Sequence, residues 1–106
     1  SQLQVGQLVS GEIVSIKPFG VFVDLEGVTG LLHINQISKN YVESLSSLFH
    51  IGQEIKAIVV NLDESTGRIS LSTKIMENYP GEMLQNMAEV MASAEARSER
   101  IGQNMS

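Results

Sequence analysis

Residues 16–34 read IKPFGVFVDLEGVTGLLHI, a run of strand-forming residues that also carries a proline, three glycines, two phenylalanines and a histidine. Side chains in a strand alternate between faces, so Val21, Val23 and Leu25 share one face while Phe22 and Asp24 point the other way. In GLLHI the same alternation sends Leu32 and Ile34 inward and His33 outward. Phe19 has the parity of Val21, but Pro18 before it and Gly20 after it mark a turn or bulge able to rotate it onto the surface of Phe22. Ordinary core phenylalanines are the competing reading of both rings.

Outward from this stretch, residues 9–73 continue as short β-branched bursts broken by turn residues: VSGEIVSI, GVFVDL, TGLLHI, EIKAIVVNL and RISLST. These are five strands. LEGV is a tight hairpin between the second and third, and DESTG a longer one between the fourth and fifth. Between the third and fourth, alternation is lost and Val42, Leu45, Leu48 and Phe49 recur every three or four positions, which predicts a short helix. Three strands, a helix and two strands is the order of an OB-fold, expected here as an all-β, five-stranded antiparallel barrel. The openings VGQLVSGEIVSI and IGQEIKAIVVNL look alike and are read as two similar strand starts rather than a repeat. In RISLS, Ile69 and Leu71 fall inward, leaving Arg68 outside. Where these strands neighbour one another, one outer patch collects Phe19, Phe22, His33 and Arg68, with Asp63 or Glu64 near the last turn. Flat rings beside a guanidinium make a stacking platform for unpaired bases, with a cation for a phosphate.

From Met76 the pattern changes. Tyr79-Pro80-Gly81 ends the β region, Pro80 suits a first helical position, and Met83, Leu84, Met87, Val90, Met91 and Ala94 share one helical face. Glu82, Asn86, Glu89, Ser93 and Arg100 fall on other faces, and Gly102 is a plausible stop. One amphipathic helix over about 80–100 is expected, outside the barrel and without a part in base recognition. The chain thus divides into a barrel domain, 1–75, and a tail, 76–106.

Composition bounds the functions open to this chain. At 106 residues and 42% hydrophobic, it has the size of one small domain. With no cysteine, neither a disulfide framework nor a thiolate zinc site is possible, and an intracellular or organellar setting is the easier one. No apolar run approaches the roughly 20 residues of a membrane span, and the N-terminus lacks a signal-peptide pattern. It opens without Met, as a piece of a longer protein or a processed one would. The net charge is −5: residues 1–75 hold five basic and seven acidic side chains, the remainder two arginines against five glutamates. Binding to phosphate by bulk charge alone should therefore be weak, and any nucleic-acid role rests on a local site. Catalytic patterns are lacking. GQLVSGE spaces two glycines like a phosphate loop but carries Glu12 where a lysine must stand, there is no nucleophile motif, and His33 and His50 are parted by the helix. No enzyme, cofactor or metal is expected.

The stretch VGQLVSGEIVSIKPFGVFVDLEGVTGLLHINQIS…IGQEIKAIVVNLDESTGRISLSTK resembles the S1 RNA-binding domain family, an OB-fold group, over about residues 5–74. The resemblance implies an RNA surface of two aromatics, a histidine, an acidic residue and an arginine. The matching positions are Phe19, Phe22, His33, Asp63 and Arg68, with Glu64 an equal candidate for the acid. Lys17, Lys56 and Lys74 are candidate phosphate contacts. The tail YPGEMLQNMAEVMASAEARSER is similar to the segment after the last such domain in ribosomal relatives of cyanobacterial and plastid type. The implied partners are single-stranded messenger RNA, the small ribosomal subunit and further S1 domains of one parent chain, in a bacterial cytoplasm or plastid stroma and away from membranes. The alternative is a docking module that binds protein through the barrel or the Met-rich helix; the acidic balance favours it, and the Phe, Phe, His, Arg set favours RNA.

Overall fold

The computed structural model describes residues 3–105. Its two long strands, β1 (Leu8–Lys17) and β4 (Glu54–Asp63), pair antiparallel with Ser10 opposite Lys56. Both begin alike. Gly6 and Gly52 hold φ of 95° and 93°, a region that strains any residue bearing a Cβ. The Gly6 N–H donates to the Val59 carbonyl and the Val59 N–H to that of Gln7; equivalently, the Gly52 N–H donates to Ile13 and the Ile13 N–H to Gln53. Each strand then slips register once, between Ile13 and Ser15 and between Val59 and Asn61. The similar openings are thus a local two-fold relation about the Ser10–Lys56 pair. They place the same turn and the same irregularity in the two strands whose bending closes the barrel.

Strands β2 (Gly20–Asp24), β3 (Thr29–His33) and β5 (Arg68–Ser72) complete a closed barrel in the order β1-β2-β3-β5-β4. Pro18 and Phe19 form a two-residue turn between the paired Lys17 and Gly20. At the next hairpin Glu26 and Gly27 both take positive φ, 61° and 98°, and the Leu25 N–H donates to the Val28 carbonyl. That mirror-image turn matches the twist of its strands. The expected antiparallel barrel needs one correction: β3 and β5 run parallel, with Gly30 beside Ile69. Five strands are an odd number, so antiparallel neighbours cannot alternate all the way round a closed ring. The chain absorbs the mismatch where it crosses the barrel end through a 3-10 turn (Ile34–Gln36) and the predicted short helix, α1 (Leu45–Leu48).

The alternation read from the sequence sets the core. Ile13, Val21, Val23, Leu32, Ile55, Val59 and Leu71 are all buried. The same core extends without a break to Met83, Val90 and Ala94 of the tail. There the expectation of one helix over 80–100 fails, because the segment breaks into α2 (Glu82–Gln85), α3 (Met87–Ala92) and α4 (Ala94–Met105). Gly81, at φ 91°, precedes α2 and displaces Pro80 from the first helical position. Asn86 and Ser93 leave helical geometry, and Gly102 lies inside α4 instead of ending it. Leu84, assigned to the apolar stripe, is exposed, whereas Glu82 and Arg97 are buried.

A buried bidentate pair explains the folding back. Arg97 Nη1 and Nη2 donate to Glu82 Oε1 and Oε2 at 2.6 and 2.9 Å, Nη1 also to the Met76 carbonyl, and Nε to Ser93 Oγ. Fifteen residues in one straight helix would be separated by about 22 Å. Glu82 therefore meets Arg97 only because the breaks reverse the chain. Its methionines are used on the barrel: past the end of β5, the unpaired Lys56 backbone N–H donates to Met91 Sδ at 3.3 Å, and Gln53 Nε2 to Met87 Sδ at 3.5 Å. The tail covers a strand edge that would otherwise stay open.

Candidate nucleic-acid interface

Register sorts the outer face into three tiers. The first holds Lys17, Gly20 and His33. The second holds Ser15, Phe22, Leu31, Ser70 and Asn61. The third holds Glu12, Asp24 and Thr29, with Arg68 beside Thr29 and opposite Asp63. Phe19 leans from its turn over the first two tiers and meets Phe22 edge to face, with ring centroids 6.1 Å apart at 85°. Phe19 is 47% exposed and Phe22 is half-buried. Neither is a core residue.

His33 Nδ1 accepts the Asn35 N–H at 3.1 Å, which caps the 3-10 turn and leaves Nε2 as the outward donor. Between Phe22 and Ser70 stands Leu31, half-buried on the outer face. Sequence reasoning passed over it, although GLLHI gives it the outward parity of His33. An apolar residue there extends the platform that the rings begin.

Arg68 and Asp63 lie apart from this cluster. Their tier, at Thr29, is four residue steps along β3 from that of His33, roughly 13 Å. The predicted residues thus form a strip and not a pocket. Asp63 Oδ1 accepts Ser65 Oγ at 2.7 Å and the Ser65 N–H at 3.1 Å, and these bonds draw the carboxyl below its ordinary range. Glu64 is exposed, and both acids line a groove of about 350 Å³ with Arg68. No ion pair engages Arg68 among the described residues. Of the lysines, Lys17 stands in the first tier, and Lys74 follows the end of β5. Lys56 is elsewhere, on the β1–β4 side, paired to Glu95 at 2.9 Å under the tail. Charge varies along the strip: Glu12, Asp24, Glu26 and Glu54 share a groove at the third-tier end, where Arg68 is the cation, while Lys39 and Lys74 share a groove past the first tier.

A closed barrel of this strand order with an aromatic outer face is of the OB-fold class. Within it, the chain belongs to the S1 RNA-binding domain family, whose profile matches residues 2–74. It is 56% identical, over 93% of its length and 34% of the relative's, to the small ribosomal subunit protein bS1 of Synechococcus elongatus. It is 37% identical to protein bS1c of Spinacia oleracea, over 99% of this chain and 26% of that one. The chain thus spans about a third or less of the curated relatives it matches. Among solved structures, GSP13 from Bacillus subtilis superposes with TM-score 0.66 at 30% identity, over 74% of this chain and 62% of that one. A chain of the a/eIF2alpha–aDim2p–rRNA complex from Pyrococcus horikoshii shares the fold, with TM-score 0.68 at 23% identity over 74% and 48% of the two chains. Among the described residues no helix is long and apolar enough to cross a membrane.

Proposed function

We propose that this chain is a single-stranded RNA-binding module of a longer S1-type ribosomal protein, holding messenger RNA on the small ribosomal subunit beside other S1 domains. Residues 1–75 are the RNA-binding unit and 76–106 its cap. The observation that carries the reading is the edge-to-face Phe19–Phe22 pair with Leu31 and His33 on one exposed face. Every base offers a π-face to such a surface, so binding needs no fixed sequence. The kinship to ribosomal relatives supports the setting, a bacterial cytoplasm or plastid stroma. Docking through the Met-rich helix is the weaker alternative, because Met83 is buried and the Met87 and Met91 sulfurs face the chain's own barrel.

Amide shift mapping with a short single-stranded RNA tests the proposal. Perturbations should cluster at Phe19, Phe22, Leu31, His33 and Arg68. A folded double variant, Phe19→Ala with Phe22→Ala, that binds as well as wild type would overturn it.

A further inference from the structure

Immediately beyond the His33 end of the strip lies a groove of about 430 Å³ lined by Ile34, Asn35, Lys39, Asn40, Tyr41 and Lys74, among others. Neither lysine is engaged in an ion pair among the described residues. Tyr41 is 85% exposed and makes no hydrogen bond or ring contact among them, so its ring contributes little to the fold. Carboxylates do lie nearby. Glu77 sits behind the wall, buried, its charge turned to Ser38 Oγ, the Lys39 N–H and the Met83 N–H; Glu43 lines the adjoining groove that holds Lys17. Neither lines the groove that Lys39 and Lys74 share.

We propose that this groove is a second nucleotide subsite, continuing the RNA strand that leaves the Phe19–Phe22 platform past His33. A phosphate sits between Lys39 and Lys74, and the base stacks on Tyr41. The inference deepens the RNA-binding reading and rests on it. Three features converge. A net-negative chain concentrates two uncompensated cations in one concave site, which is what a phosphate needs. An exposed ring stands beside them, as base stacking requires. The groove also adjoins the platform without a gap, since the Asn35 N–H on its wall donates to His33 Nδ1. Glu77 gives the site its rigidity by tying Ser38 and Lys39 to the segment after β5.

The test compares oligouridylates of three and ten nucleotides, the first long enough for the platform alone, the second able to reach both sites. Lys39→Glu with Lys74→Glu should weaken the decamer about tenfold or more and lower its log-salt slope by roughly 1–2, leaving the trimer unchanged. Tyr41→Ala should weaken the decamer by about 5- to 100-fold, and Tyr41→Trp should restore it. Amide spectra check folding, and Lys39→Gln with Lys74→Gln serves should the reversed charges unfold the chain. Groove variants that bind the decamer like wild type, while Phe19→Ala with Phe22→Ala weakens it, overturn the subsite and leave the platform standing. The opposite pattern overturns the platform and keeps the groove. Equal losses on trimer and decamer reduce the lysines to a general charge effect and overturn the subsite, and a wild-type chain that binds neither RNA overturns both.

Discussion

Phe22 is the residue on which the proposed RNA surface turns, since it meets Phe19 edge to face and lies opposite Leu31 on β3. Removing a stacking ring costs about 1–3 kcal/mol per base. Phe22→Ala should therefore weaken RNA binding by roughly 5- to 150-fold, while Phe22→Tyr keeps most of it; equal affinity for the alanine variant in a fluorescence titration would place the site elsewhere. Gly20 matters by having no side chain. A Cβ there would stand 2.6 Å from the Leu32 carbonyl oxygen and 3.1 Å from Leu31 Cδ1, so backbone must move to admit it. Gly20→Ala should cost about 1–3 kcal/mol of stability and part the rings from His33. An unchanged melting temperature would show that β2 and β3 have room to spare. The outward ring of Phe22 was legible in the alternation of GVFVDL. The outward parity of Leu31 was present in the sequence too, but a second leucine beside Leu32 reads as core until the register shows which one faces out.

At the scale of the elements, the tail depends on the Glu82–Arg97 pair. Both groups are almost fully buried, so removal of one leaves the other charged without a partner. Arg97→Met should cost about 3–5 kcal/mol, and Glu82→Leu added to it should recover part of that loss; denaturant unfolding of the single and double variants measures both. The guanidinium holds the Glu82 carboxyl below its ordinary 4.5 despite burial, and the Asn78 N–H helps. A carboxyl with a depressed folded pKa contributes stability in full above its unfolded value and loses it as pH falls through the folded one. Stability should therefore be flat above about pH 5 and decline below 4.5, and Arg97→Met should flatten that decline. An identical acid limb in the two proteins would mean that the pair does not set it.

For the molecule as a whole, the tail and the proposed RNA surface should be separable in part. None of Phe19, Phe22, His33 and Arg68 is hydrogen-bonded to the tail among the described residues. The tail buries Met83 and Val90 fully on the barrel. Truncation after Lys74 should lower stability by roughly 3–6 kcal/mol, counting about 1.5–3 for each of those two side chains. Affinity for a three-nucleotide RNA should survive where the barrel stays folded, and its loss would place the tail in the binding surface. With a net charge of −5 and few cations on the strip, binding should be on the order of micromolar or weaker, with a salt slope reflecting roughly 2–3 phosphates on the platform. Nanomolar affinity at physiological salt would contradict this. Weak modules gain avidity when strung together, as a chain covering about a third of its relatives' length allows.

The amino-acid sequence by itself determined which residues form strands, which face of each strand is buried and where the rings emerge, because these follow from local alternation and turn chemistry. It carried the five residues of the strip, but not their spacing, which depends on how the strands pair. Only the tertiary structure decided the parallel contact of β3 with β5, since closure of an odd ring is a property of all five strands together. Likewise the methionine stripe read as one helix because helical spacing is local. The breaks at Asn86 and Ser93 are set by a curved barrel to be covered and by a carboxylate and a guanidinium fifteen positions apart that stabilise each other only in contact. The same holds for the lysines. Lys56 and Lys74 look equivalent in the chain, yet one lies against Glu95 and the other opens onto a groove beside His33, a difference made by residues far away in sequence.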